Sequence, residues 1–258
     1  MTSPSSPEPP VLPAWCSLVR ADNPGPMTLE GTNTYRLKSE AGAVVVDPGP
    51  LDERHLDAVA AGGPVQLILL THGHPDHAEG AAAFADRTGA PLLARDAAFC
   101  TTGNEPLQEG DPRVRRFGLT VLATPGHTAD SVSFVVELAG EHAVLTGDTV
   151  LGRGTTVVAH PDGRLRDYLS SLDRLAGLAD GWLLLPGHGP VRADAGALAR
   201  DYLAHRAMRL DQVRAAVAAG AATPQDVVRL VYADVDRALW PAAELSVRAQ
   251  LDYLADAT

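Results

Sequence analysis

Apolar positions along the chain fall into two rhythms. Short runs at Cys16–Arg20, Thr32–Leu37, Ala43–Asp47 and Val65–Leu70, bounded by Gly, Pro and Asn, have the pattern of strands. The same pattern predicts strands over Pro91–Ala94, Val114–Phe117, Leu119–Thr124, Ser131–Leu138, Ala143–Thr146 and Trp182–Leu185. Between them the spacing becomes helical. Leu51, His55, Leu56 and Val59 share one face, Ala78–Arg87 reads as a second helix, and Leu165, Tyr168, Leu169, Leu172, Leu175 and Leu178 form a third stripe. From Asp194 the strand signal stops. A long helix runs to about Ala219, a second opens at Thr223-Pro-Gln-Asp226 with Thr as cap and Asp three residues on, and a third starts near Pro241. This order predicts an α/β domain over residues 14–193 and a helical domain over 194–258. Residues 1–13, rich in Ser and Pro, predict a disordered tail.

Four of the strands run into side chains that a core does not need. Val65–Leu70 leads into Thr71-His-Gly-His-Pro-Asp-His77, Leu119–Thr124 into Pro125-Gly-His127-Thr, Ala143–Thr146 into Gly147-Asp148-Thr, and Trp182–Leu185 into Pro186-Gly-His188-Gly. Each motif has Gly or Pro beside it, so the backbone can turn sharply and present the side chain at the strand end. Imidazole and carboxylate are ligands for zinc or a similar divalent ion. Pro75 and Gly73 interrupt any helix there, so the first motif reads as a loop aiming its side chains two ways. Loops leaving one edge of a layered α/β fold converge, which brings together His72, His74, Asp76, His77, His127, Asp148 and His188. Seven ligands are too many for one tetrahedral zinc and suit two ions sharing a carboxylate. Two ions ~3.5–4 Å apart can hold a bridging hydroxide and polarise a carbonyl or phosphoryl oxygen.

Composition narrows the classes. With 258 residues and 45% hydrophobic content the chain can bury a sizeable core. A net charge of −11 makes its body a poor funnel for nucleic acid. Cys16 and Cys100 read as free thiols, and neither a signal peptide nor a membrane-length apolar stretch is visible, which predicts a cytoplasmic protein without membrane contact. There is no nucleophile elbow and no phosphate loop. His55, His142 and His160 read as surface or packing residues, and Arg113, Arg115 and Arg116 as a charged strand edge. For His205, Arg206 and Arg209 a solvated helix face is favoured over a substrate-facing one.

The ordered set T-H-x-H-x-D-H, P-G-H-T, G-D-T and P-G-H-G resembles the metallo-β-lactamase-fold hydrolases across Trp15–Arg192. The resemblance implies a four-layer αββα sandwich with two metal ions on one edge, usually zinc and in some members iron or manganese. It places His72, His74 and His127 on the first ion, Asp76, His77 and His188 on the second, and Asp148 between them. Asp76 would also orient and deprotonate the attacking water. Asn23-Pro-Gly-Pro26, Gly31-Thr-Asn-Thr-Tyr35, Pro186-Gly-His-Gly-Pro190 and Tyr202-Leu-Ala-His-Arg206 are similar to the lactamase-beta-2-like branch. That branch includes an endoribonuclease acting on single-stranded RNA and fungal thioesterases that release polyketides, and carries a winged-helix-like C-terminal domain. Here only the helices of that domain are expected, with the β wing truncated. Related branches fit less well. Only 39 residues separate Asp148 from His188, too few for a β-CASP insertion. No Lys follows Lys38 to grip glutathione, and Leu151 stands where quorum-signal lactonases carry Tyr. The expected protein is a di-metal hydrolase cleaving either a phosphodiester of single-stranded RNA or an acyl thioester or small ester. The alternative is a non-catalytic member of the fold that binds a small molecule or nucleic acid. Nothing in the sequence sets an oligomeric state.

Overall fold

Strand alternation builds this molecule. In β3 (Gly42–Val46), Val44 and Val46 face one way and Val45 the other, and all three are fully buried. Such a strand must be covered on both faces. In the computed structural model, which describes residues 10–256, it lies inside a five-stranded sheet of order β1 (Cys16–Arg20), β2 (Asn33–Ser39), β3, β4 (Leu67–Leu69) and β5 (Leu92–Leu93). The β1–β2–β3 pairs are antiparallel, and β3–β4–β5 are parallel. A second sheet orders β6 (Leu119–Ala123), β7 (Val132–Leu138), β8 (Glu141–Gly147) and β9 (Leu183–Pro186), antiparallel except for β8–β9.

The sheets pack face to face. Tyr35, Leu37, Val46 and Leu69 of the first meet Phe134, Val136, Leu145 and Leu185 of the second in one buried cluster. On the outer face of the first sheet, α1 (Glu53–Ala60) and α3 (Ala81–Thr88) set Leu56, Val59 and Phe84 on Val45 and Ile68. On the outer face of the second, α5 (Leu165–Ala176) and α6 (Ala195–Ala218) set Tyr168, Leu172, Ala199 and Tyr202 on Val144 and Leu184. The result is the expected αββα sandwich. The far half of α6 packs with α7 (Pro224–Val231) and α8 (Trp240–Ala255) around Val213, Val228 and Val247. Thr223 and Asp226 close the reciprocal capping box at the start of α7. Among the described residues no strand follows α6, and no helix is long and apolar enough to cross a membrane.

Three expectations change. The strand predicted over Val114–Phe117 is instead the helical turn α4 (Pro112–Arg115) with its flanking residues. Asp111 caps its first amide at 2.9 Å and Pro112 starts it, while Val114 and Phe117 are buried at a spacing that one helical turn serves equally well. Arg113 is therefore no strand edge, since it grips Asp111 and the carbonyls of Glu105 and Pro106. Pro75 does not bar a helix either, because it occupies the first position of the short turn α2 (Pro75–Ala78). The disordered tail expected over residues 1–13 falls largely outside the described residues, and within them Leu12 packs against the inter-sheet core.

Candidate metal centre

The loops leaving β4, β6, β8 and β9 meet at one edge of the sandwich, stitched by backbone hydrogen bonds. Val132 N donates to Thr71 O and Gly187 N to Gly147 O, both at 2.8 Å. Behind the first loop lies Asp47, which the sequence reading did not single out. Its carboxylate accepts from Thr71 N and Thr71 Oγ1, each at 2.7 Å, and lies 2.9 Å from His77 Nδ1. The signal was present in Asp47-Pro-Gly-Pro50, an acid closing an apolar strand. Asp47 holds φ at +52°, a conformation most residues avoid. Buried strain of that kind persists where surroundings fix it.

All seven sequence-predicted ligands come together here. His72 Nε2 and His127 Nε2 each lie 3.0 Å from His74 Nδ1. Three imidazole nitrogens on one tetrahedral zinc, with Zn–N bonds near 2.05 Å, would be spaced by ~3.3 Å. Beside this group, Asp76 Oδ2 lies 3.3 Å from His77 Nε2 and 3.1 Å from His188 Nε2. Asp148 reaches both groups. Its Oδ2 lies 3.3 Å from His188 Nε2 and 3.8 Å from His127 Nε2, and its Oδ1 lies 3.5 Å from His77 Nε2.

The partners behind the rings fix their tautomers. His127 Nδ1 meets Val157 O at 2.8 Å, His188 Nδ1 meets Gly31 O at 3.3 Å, and His77 Nδ1 meets Asp47. Thr71 Oγ1 spends its proton on Asp47 and so accepts from His72 Nδ1 at 3.1 Å. These contacts put a proton on Nδ1 of each of the four rings and turn Nε2 inward, bare on His72 and His127 and protonated against Asp76 and Asp148 on His77 and His188. Converging Nε2 atoms repel unless protons or a cation sit between them. Asp148 Oδ1 adds a buried acceptor with no hydrogen-bond partner. The donor set, five imidazoles and two carboxylates in three overlapping clusters, fits two divalent ions.

Electrostatics agree with that fit. Burial acts to raise the carboxyls of Asp76 and Asp148, but the charges of His77 and His188 outweigh it and hold both well below the usual carboxylate range. Burial keeps His72 and His127 neutral. At His188 burial is overcome by Asp148 and Asp76, which push it up to about 9. An acidic pocket that draws protons onto imidazole is one where metal binding would release them. The backbone leaves room for nothing else: a Cβ on Gly187 would lie 2.4 Å from Asp148 Oδ1.

The remaining histidines behave unequally. His55 is a packing residue with Nε2 2.8 Å from Thr34 Oγ1, His142 stacks on Trp182, and His160 pairs with Asp252 at 2.9 Å. His205, Arg206 and Arg209 depart from the favoured expectation of a solvated helix face. They line a cavity of about 360 Å³ that also includes His127 and Asp148 in its wall. Arg206 is buried, its guanidinium on Thr156 O and over the Tyr168 ring, and Tyr202 Oη bonds Leu151 N at 3.1 Å. The turn of α6 that carries these residues is thus tied to the loop after Asp148, an arrangement set by tertiary contacts.

Fold and ligand set together define a metallo-β-lactamase-type protein, and the comparisons agree. Residues 27–188 match the family model of the metallo-beta-lactamase superfamily, so the chain belongs to that superfamily. Residues 223–256 match the model of the beta-lactamase associated winged helix domain, which covers α7 and α8. The chain is similar to the beta-lactamase-like protein 2 homolog of Caenorhabditis elegans, 33% identical over 246 residues, covering 90% of this chain and 81% of that one. Its fold is similar to a beta-lactamase domain protein from Burkholderia ambifaria, with a TM-score of 0.80, 23% identity and coverage of 99% and 90%. It is also similar to TTHA1623, solved in a di-iron-bound form, with a TM-score of 0.57, 29% identity and coverage of 69% and 95%.

Proposed function

We propose that this protein is a di-metal hydrolase of acyl thioesters or small carboxylic esters. The observation that carries the reading is Asp148, set between two groups of inward-facing imidazoles with its Oδ1 buried and unpartnered. In this reading His72, His74 and His127 would hold one ion, Asp76, His77 and His188 would hold the other, and Asp148 lies within reach of both groups. Zinc suits the imidazole-rich donor set, with iron or manganese as the alternatives. When bound, two such ions lower the pKa of a water towards ~7 and polarise the carbonyl it attacks.

The chain's own residues do the rest. Asp76 is the more exposed of the two carboxylates, at 26% against 11% for Asp148, so it can meet incoming water. Thr32 Oγ1 donates to its Oδ2 at 3.0 Å and fixes its direction. Asp76 orients the attacking water and takes its proton. Leu151 and Val157 give the adjoining cavity an apolar wall that excludes bulk water from an acyl chain. The bounded cavity and the net charge of −11 favour a small substrate over an RNA strand, which needs an extended basic track.

The test is a parallel screen of zinc-, iron- and manganese-loaded protein on acyl thioesters, aryl esters, lactones and RNA oligonucleotides, with Asp148→Ala as the blank. Thioester or ester hydrolysis absent from the blank supports the reading. Cleavage of RNA alone overturns the substrate class. Fewer than one metal per chain, with no activity restored by any of the three ions, sinks the hydrolase itself.

A further inference from the structure

Three arginines line the cavity beside the metal centre, and they are not equivalent. Arg153 is neutralised by Glu30, with Nη2 2.6 Å from Oε1. Arg206 and Arg209 have no carboxylate partner among the described residues. Their guanidiniums rest on neutral groups: Arg206 on Thr156 O, and Arg209 on Val231 O at 2.9 Å and Gln212 Oε1 at 3.0 Å. Their flat faces lie over Tyr168 and Tyr232, at 5.1 and 4.7 Å from the ring centroids. Arg206 is only 5% exposed, and its Nε, the Nε of Arg209 and Nδ1 of His205 are all buried without a hydrogen-bond partner.

A tethering role explains the carbonyl bonds of Arg206 and Arg209 and nothing else. Burying a guanidinium without a counter-ion is costly, and a single buried arginine held only by carbonyls is already uncommon. Here half-buried Arg209 stands beside Arg206, with three orphaned nitrogens between them and His205. His205 beside them is pushed down to about 4, first by burial and then by the two arginines. The nearest acidic groups in the cavity lining do not neutralise the arginines: Asp148 is committed to the imidazole cluster, and no other acid lines the cavity. Leu151, Val157, Leu239 and Ala243 make much of the remaining wall apolar, with the hydroxyls of Thr155, Thr156 and Ser246 set among them.

We infer that Arg206 and Arg209 form an anion subsite, so the substrate is an acyl thioester or ester whose acyl chain carries a second, anionic group, a carboxylate or a phosphate. The scissile carbonyl lies by His127 and Asp148 while the anion supplies the missing counter-charge to the arginines, and the apolar wall holds the chain between them. This deepens the hydrolase reading and rests on it. The two arginines set specificity and do not touch the reacting atoms.

Two measurements test it. The first uses metal-depleted full-length protein and needs no catalysis: calorimetric binding of octanoate, octyl phosphate and octanamide. At least one anion should bind and the amide should not, and comparing the two anions identifies which headgroup the subsite takes. Arg209→Gln should weaken anion binding about tenfold or more, Arg209→Lys should recover most of it, and 0.5 M salt should weaken the wild type. Arg214→Gln, on an exposed ion pair of α6, should change nothing. Equal binding of amide and anion, or Arg209→Gln binding as the wild type does, overturns the subsite. The second measurement compares the metal-loaded enzyme on a neutral octanoyl thioester and on one ending in a carboxylate. Arg209→Gln should raise KM about tenfold for the acidic substrate only, with kcat within about twofold. A matching loss on both substrates overturns the proposal. If neither thioester is hydrolysed, the hydrolase reading fails while the binding result still decides the subsite.

Discussion

Asp47 and His77 are 30 residues apart and meet at 2.9 Å, carboxylate to Nδ1, in a fully buried contact. That contact points Nε2 of His77 at Asp76 and Asp148. The same carboxylate holds the loop carrying His72 and His74 through Thr71. One acid thereby orients ligands of both imidazole groups.

Asp47→Asn keeps an acceptor for Thr71 but weakens the contact that sets the His77 tautomer. Outer partners of this kind are worth about 10–100-fold in metal affinity. The expected outcome is a loss of that size at the site of Asp76, His77 and His188, with the His72, His74 and His127 site less affected. Competition titration against a chromophoric chelator reads both steps. Equal loss at both sites would assign Asp47 to the loop as a whole.

Gly187→Ala tests how tightly the backbone closes on the bridge. The new Cβ would lie 2.4 Å from Asp148 Oδ1 and 2.7 Å from His77 Cε1. Overpacking of this kind costs about 1–3 kcal/mol, and Asp148 is the group that must move. The variant should therefore lose metal content beyond what its Tm drop explains, as read by elemental analysis on folded protein.

Much of this was legible in the sequence, for a physical reason. His72, His74, His127, Asp148 and His188 follow apolar strands directly, and the strand edge of a sandwich leaves such residues nowhere to go but together. The partners behind them were not legible, because Gly31 O and Val157 O are backbone carbonyls with no residue signature. The Val114–Phe117 segment misled because apolar residues three apart fit a helical turn as well as a strand, and the deciding feature, Asp111 accepting from Arg113 N with Pro112 opening the turn, lies outside the apolar pattern. The facing of His205, Arg206 and Arg209 could not be read from α6 alone. It follows from Tyr202 and Arg206 gripping the loop at 151–156.

His205 makes a pH prediction with a definite sign. Its folded pKa is pushed down to about 4 by burial, Arg206 and Arg209, against an ordinary value near 6.5. Between those values the unfolded chain binds the proton and the folded chain does not, so stability falls as pH drops from about 6.5 to 4. Urea melts at pH 7.5 and 5 should show a smaller loss in His205→Gln than in the wild type. Equal losses would mean that His205 protonates freely in the folded state.

Asp148→Ala should uncouple stability from metal. Ions that bind only the folded chain add about 2.7 kcal/mol when present at 100 times their Kd. In the wild type, zinc should therefore raise Tm and should bind at two per chain. Without Asp148 each imidazole group loses its shared carboxylate, leaving His72, His74 and His127 as an all-neutral set and Asp76, His77 and His188 with one charge. Two divalent ions close together then repel with less negative charge between them, since the bridge contributed to both. The expected outcome is one zinc or fewer per chain and a metal-dependent rise in Tm at most half that of the wild type, by elemental analysis and calorimetry. Two tightly held ions with an undiminished Tm rise would show that the bridge lies elsewhere.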